Sequence, residues 1–220
     1  MTEILKNRDY RFPWLYIAVL SVYLIYGCVT LFYGTFGALE RSVYTLAGHF
    51  SYRFVLDIVF SIITYLGDGL FVFPLIILWF FKDTKEALWL TASILLTFGV
   101  VQYLKLEVYA DWRRPSQYFA ETMPQLQIYL PLGISDTHKH HSFPSGHSAQ
   151  VAALFFVISA IYRRPYQIIS FGSMALLAAF SRVYLVQHFV RDTIAGIAIA
   201  LIINAILFLV VKKYLFIEKK

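Results

Sequence analysis

Residues 166–211 read YQIISFGSMALLAAFSRVYLVQHFVRDTIAGIAIALIINAILFLVV. Two apolar runs, roughly 166–185 and 190–211, flank a short polar break, and each approaches the ~20 residues a helix needs to cross ~30 Å of hydrocarbon. This stretch implies an all-α membrane protein. The break carries Ser181-Arg182, then His188, then Asp192. His188 and Asp192 are four apart at a helix start, on one face. A carboxylate there fixes the imidazole tautomer, frees the other ring nitrogen as nucleophile or base, and stabilises the charge that develops on attack. Taken alone, the pair also reads as a simple helix cap facing headgroups.

The rest of the chain agrees with the membrane reading. Of 220 residues, 59% are hydrophobic, 18% aromatic and only 15% charged, against about 25% charged in soluble domains. Six segments are long and apolar enough, or nearly so, to span: roughly 14–33, 64–81, 86–108, 146–162, 166–185 and 190–211. The mixed stretch from Arg41 to Thr64 reads as an amphipathic interfacial helix before the second span. No internal repeat or linker divides residues 1–220, so one domain is expected, with a long connection from Ala110 to Phe143. Cys28, alone and mid-run, reads as a small buried hydrophobe rather than a lipidation site. The run from Pro13 to Tyr33 is too long for a signal-peptide core.

Eleven of the 19 basic residues fall on one side of the six spans: Lys6, Arg8, Arg11, Lys82, Lys85, Arg163, Arg164, Lys212, Lys213, Lys219 and Lys220. The positive-inside tendency then places both termini in the cytoplasm. Of the other eight, Lys105, Arg113, Arg114, Arg182 and Arg191 lie in or beside polar islands on the opposite side, against that tendency. An anionic ligand explains them. The net charge of +6 is accordingly topology plus site, and nucleic acid is not expected as a partner.

Two further islands join the first. Pro144-Ser145-Gly146-His147 precedes the fourth span. Ser145 is placed to cap the helix, whose free N–H groups favour an anion, Gly146 lets a ligand approach the backbone, and His147 projects as a proton donor. A plain helix-start turn is the alternative. Lys105, at the end of the third span, and Arg113-Arg114-Pro115 supply a point charge and guanidinium forks suited to phosphate, or else snorkel to headgroups.

These islands resemble the signature of the type 2 phosphatidic acid phosphatase superfamily, integral membrane lipid phosphatases with the pattern Lys-x6-Arg-Pro, Pro-Ser-Gly-His and Ser-Arg-x5-His-x3-Asp. The second and third motifs match at Pro144–His147 and at Ser181, Arg182, His188 and Asp192, and Gly196 resembles a small residue that often follows. The first motif departs: eight residues separate Lys105 from Arg114-Pro115, and Trp112 stands where the arginine is expected. Lys105 and Arg114 are assigned, with Arg113 as the substitute.

The resemblance implies hydrolysis of a lipid phosphate or diphosphate without metal or cofactor. His188 would be the nucleophile forming a phosphohistidine, Asp192 its orienting partner and His147 the acid. Lys105, Arg114, Arg113, Ser145, Gly146 and Arg182 would bind phosphate. The expected setting is a bacterial inner membrane, with the site facing the periplasm and no protein partner. Undecaprenyl diphosphate, phosphatidic acid, phosphatidylglycerol phosphate and lipid A are the candidate substrates. A non-catalytic lipid-phosphate binder or transporter, and an oxidoreductase using bound vanadate, are the alternatives. The run His138-Lys139-His140-His141 suggests headgroup contact or simple loop polarity more than a metal site, and Asp68 in Gly67-Asp68-Gly69 could carry a functional acid but reads more simply as a helix cap and is left out of the site.

Overall fold

The computed structural model describes residues 10–32, 41–45, 51–126, 128–131, 140–162 and 164–214. Lys6, Arg8, Tyr33, His138, Lys139, Arg163, Lys219 and Lys220 lie outside the described residues. The described chain is helical with no strand: α1 (Trp14–Phe32), a turn of helix α2 over 41–45, α3 (Arg53–Ile63), α4 (Gly69–Lys82), α5 (Thr84–Tyr103), α6 (Pro115–Thr122), α7 (Gly146–Ile161), α8 (Pro165–Tyr184) and α9 (Val190–Tyr214).

The helix starts follow local chemistry. Asp68 caps α4 by accepting from Leu70 N at 2.8 Å, and Asp83 caps α5 by accepting from Glu86 N at 3.0 Å. α6 and α8 open on Pro115 and Pro165, where a missing N–H costs nothing. α5 does not stop at Tyr103 but runs into a widened π turn, Leu104–Val108, that carries Lys105.

Thr84–Val108, Pro165–Tyr184 and Val190–Lys213 are long and apolar enough to cross a membrane. Arg53–Gly67 and Gly69–Lys82 make a fourth if counted together, although they bend by 48° at their junction. Trp14–Thr30 and Gly146–Ile161 are apolar but shorter, so among the described residues three helices, or four with the bent pair, reach the length a crossing needs where six spans were expected. The stretch expected to lie in the interface is helix α3, followed by a 3-10 turn, Thr64–Gly67, and the second segment starts at Gly69 rather than at residue 64.

α7 sits at the centre against α5, α8 and α9. It is buried along nearly its whole length, from Ser148 to Ala160, as expected of a helix apolar all round. Small residues permit this: Ala149, Ala152 and Ala153 are fully buried, and α9 approaches so closely that a Cβ on Gly196 would lie 2.4 Å from Ser145 O. Buried polar pairs tie the bundle. Ser93 donates to Asn204 between α5 and α9, and Glu86 accepts from Tyr10 and Trp79 at one end. At the other end Asp57 of α3 accepts from Tyr184 of α8 and from Tyr129 of the long connection. Leu70, Ile77, Phe81, Leu95, Ile202 and Leu209 are exposed and form an apolar exterior for lipid.

Candidate active site

The short link between α8 and α9 is tied down by its own backbone. Leu185 N donates to Ser181 O, and both Gln187 N and His188 N donate to Arg182 O. Val186 takes φ 56°, a left-handed conformation costly for a β-branched residue. The result delivers His188, 1% exposed, beneath the start of α9. Its Nδ1 lies 3.6 Å from Asp192 Oδ2, and that oxygen also accepts from Ser142 Oγ and from Phe189 N at 3.0 Å. The expected pair is therefore built, and a contraction of about 0.7 Å would make it a hydrogen bond.

Burial, and after it the field of Lys105, Arg114 and Arg182, pushes the His188 imidazole well below its ordinary 6.5. A neutral imidazole keeps the lone pair a nucleophile needs.

The first turn of α7 meets the same place. Ser145 caps it as expected, its Oγ accepting from Ser148 N at 3.4 Å and Ser148 Oγ at 2.9 Å, while Ser145 N donates to Asp192 O at 2.9 Å. That hydroxyl is fully buried and spent on the helix. Gly146 and His147, by contrast, line a cavity of about 330 Å³ together with Lys105, Arg114, Arg182 and His188.

The two-residue excess in the first motif is taken up by the π turn and an aromatic cluster of Tyr109, Trp112 and Phe143. Arg114 consequently reaches the cavity, its Nη1 donating to Gln187 Oε1 at 2.7 Å and its Nε to His140 O at 3.3 Å. Burial lowers its pKa against the pull of Asp192, yet a guanidinium stays charged. Arg113 points elsewhere: it pairs with Glu121 at 2.7 Å and is about half exposed. His141 Nδ1 lies 3.3 Å from Lys105 O, so this part of the histidine run braces the site's edge. Among the described residues, no group of three or more His, Cys, Asp or Glu is placed to hold a metal.

Arg182 Nη1 donates to Thr64 Oγ1 at 2.8 Å, which leaves its buried Nε without a partner among the described residues. Sequence reasoning took Asp68, which directly follows the Thr64–Gly67 turn, for a helix cap and left it out of the site. Asp68 Oδ2 lies 3.3 Å from His147 Nε2, and both side chains are about a third exposed in the cavity. The neighbouring Gly67 was the available signal: a Cβ there would lie 2.4 Å from His147 O, so the turn passes directly against α7.

Three cations, an unprotonated imidazole with a carboxylate behind it and a second imidazole, all around one cavity, form an arrangement that can hold an anion and attack it.

Two relatives and two solved structures resemble this chain. The chain is 29% identical over 133 residues to the lipid A 4'-phosphatase of Porphyromonas gingivalis, covering 59% of this chain and 54% of that protein. It thus spans about half the length of that relative. It is 30% identical over 164 residues to phosphatidylglycerophosphatase B of Bacillus subtilis, covering 67% of this chain and 71% of the other. Among solved structures it resembles Aquifex aeolicus LpxE, with a TM-score of 0.59 and 26% identity over 70% of this chain and 86% of that one. The fold also matches a transmembrane PAP2 type phosphatidylglycerolphosphate phosphatase from Bacillus subtilis, with a TM-score of 0.53 and 24% identity over 90% of this chain and 94% of that one. The family model of the PAP2 superfamily matches residues 86–215, a segment that holds every cavity residue named above except Gly67 and Asp68, and the chain belongs to that superfamily.

Proposed function

We propose that this protein hydrolyses a phosphate or diphosphate from a membrane lipid through a phosphohistidine on His188. The observation that carries the reading is the single cavity lined by Lys105, Arg114, Arg182, His147 and His188, with Asp192 behind the last.

Lys105, Arg114, Arg182 and the N–H of Gly146 take the phosphoryl oxygens and neutralise charge as it spreads over them. His188 attacks phosphorus through Nε2, the nitrogen turned away from Asp192. The bond from phosphorus to the leaving oxygen breaks with its electron pair on that oxygen, which takes a proton from His147. Asp192 stabilises the positive imidazole ring. In the second half, water gives a proton to His147 as its oxygen attacks phosphorus, and the P–N electron pair returns to His188. Ser145 contributes by holding the first turn of α7 in place. The cationic lining disfavours a divalent metal.

The supporting frame is one domain over residues 1–220 with six spans, both termini cytoplasmic, and the cavity facing the periplasm of a bacterial inner membrane. α3 lies at that interface. Lipid chains run outward past Phe73 and Phe98, which line the cavity between α4 and α5. Lipid A phosphate and phosphatidylglycerol phosphate lead the substrates because the relatives bear those names, with phosphatidic acid and undecaprenyl diphosphate next.

The test is phosphate release from these four lipids by detergent-purified protein in excess chelator, beside His188→Ala. Chelator-resistant release that is lost in the variant is the expected result. If none of the lipids is hydrolysed, or the variant equals wild type, the reading fails.

A further inference from the structure

We infer that Asp68 is a positioning residue for the acid step: its carboxylate faces His147 and favours the imidazolium that protonates the leaving oxygen. The inference rests on the phosphatase reading above.

The two oxygens of Asp68 have separate tasks. Oδ1 accepts from Leu70 N and caps α4, whereas Oδ2 faces the tip nitrogen of His147 at 3.3 Å. Capping alone would be served equally by Asn or Ser. A negative charge here attracts the cations that line the cavity and so competes with an incoming phosphate for them, a cost to substrate binding that capping does not require. Its presence is explained by the imidazole. His147 shares the cavity with Lys105, Arg114 and Arg182, three cations that oppose a positive ring. Asp68 is the only carboxylate among the lining residues and is the group that compensates. The fold places it there deliberately. Gly67 lets the 3-10 turn pass against the backbone of His147, and Thr64 on that turn also holds Arg182. One turn thereby fixes a phosphate cation and the acid's counter-charge together.

During the forward step the proton leaves His147 for the leaving oxygen, and the Asp68–His147 pair changes from a charge pair to a carboxylate beside a neutral ring. In the second half the ring regains its proton from water. No co-reactant is needed.

The test is Asp68→Asn, which keeps an oxygen for the cap and removes the charge. Two substrates are compared, a dialkylglycerol phosphate with a poor leaving group and an aryl phosphate whose phenol leaves without protonation. The expected loss in kcat/KM, which reports formation of the phosphohistidine, is about 10- to 100-fold on the lipid and under about threefold on the aryl ester, as for a weakened general acid. Inhibition by inorganic phosphate should tighten in the same variant, because an anion no longer faces the carboxylate. The alkaline limb of the lipid kcat/KM profile should move to lower pH. Adding Asp68→Asn to His147→Ala should cost nothing further on the aryl ester. Equal losses on both substrates, weaker phosphate inhibition, or full lipid activity in Asp68→Asn would each overturn the inference. A wild-type protein inactive on both substrates would instead overturn the phosphatase reading.

Discussion

Gly196→Ala is the sharpest test of how the two halves of the site are joined. Gly196 is one turn beyond Asp192 and on the same face of α9. A Cβ there would stand 2.4 Å from Ser145 O and 3.2 Å from Ala149 N, both backbone atoms of the first turn of α7. Ser145 O accepts the first hydrogen bond of that helix from Ala149 N at 3.1 Å, so it cannot simply rotate away. To reach even 3.0 Å, a separation real Cβ atoms rarely go below, the turn must withdraw from α9 by about 0.6 Å. His147 moves with α7 and His188 stays with α9. A misplacement of ~1 Å can cost ~100-fold, so a loss of about 10- to 100-fold in kcat is expected, together with ~1–3 kcal/mol of stability from overpacking. Gly172→Ala is the control. There a Cβ would meet the Val19 side chain at 2.7 Å, between α1 and α8 and away from the cavity, so stability should fall while kcat stays within about threefold. Phosphate release and thermal unfolding in the same detergent measure both. Wild-type kcat in Gly196→Ala, or equal kcat losses in the two variants, would refute the reasoning.

Two more outcomes follow from the geometry. Arg114→Ala should lower kcat/KM by about 10- to 100-fold, the value of a charge-assisted phosphate contact, whereas Arg113→Ala should stay within about threefold because it breaks only an exposed pair with Glu121. The reverse order would hand the first-motif role to Arg113. The depressed His188 also sets a stability profile: below its ordinary 6.5 the unfolded chain binds a proton that the folded site refuses, so the melting temperature should fall as pH drops from about 7 to 5. His188→Gln should flatten that slope, and an unchanged slope would mean another group controls it.

The second and third motifs were legible because their geometry is local. His188 and Asp192 need only helical periodicity to share a face, and Ser145 needs only to precede an apolar helix. The choice between Arg113 and Arg114 was not legible, since it depends on a π turn at Leu104–Val108 whose formation no propensity in that sequence announces. Asp68 was read as a cap, which is correct and incomplete. Its second oxygen meets His147 only because α4 and α7, 78 residues apart at Asp68 and Gly146, converge in space. The span boundaries of 86–108, 166–185 and 190–211 agree closely with the helices, because those runs are apolar throughout. The region 41–64 was harder, for its apolar residues face outward while Asp57 is buried with tyrosine partners.

α7 has 16 residues and so rises about 24 Å, less than the ~30 Å of hydrocarbon it would have to match if lipid surrounded it. Enclosed by α5, α8 and α9, it answers to side-chain packing instead of to bilayer thickness. Hydrophobic mismatch is therefore absorbed by the outer helices, and membranes of different thickness leave the spacing of His147 and His188 to the protein interior alone.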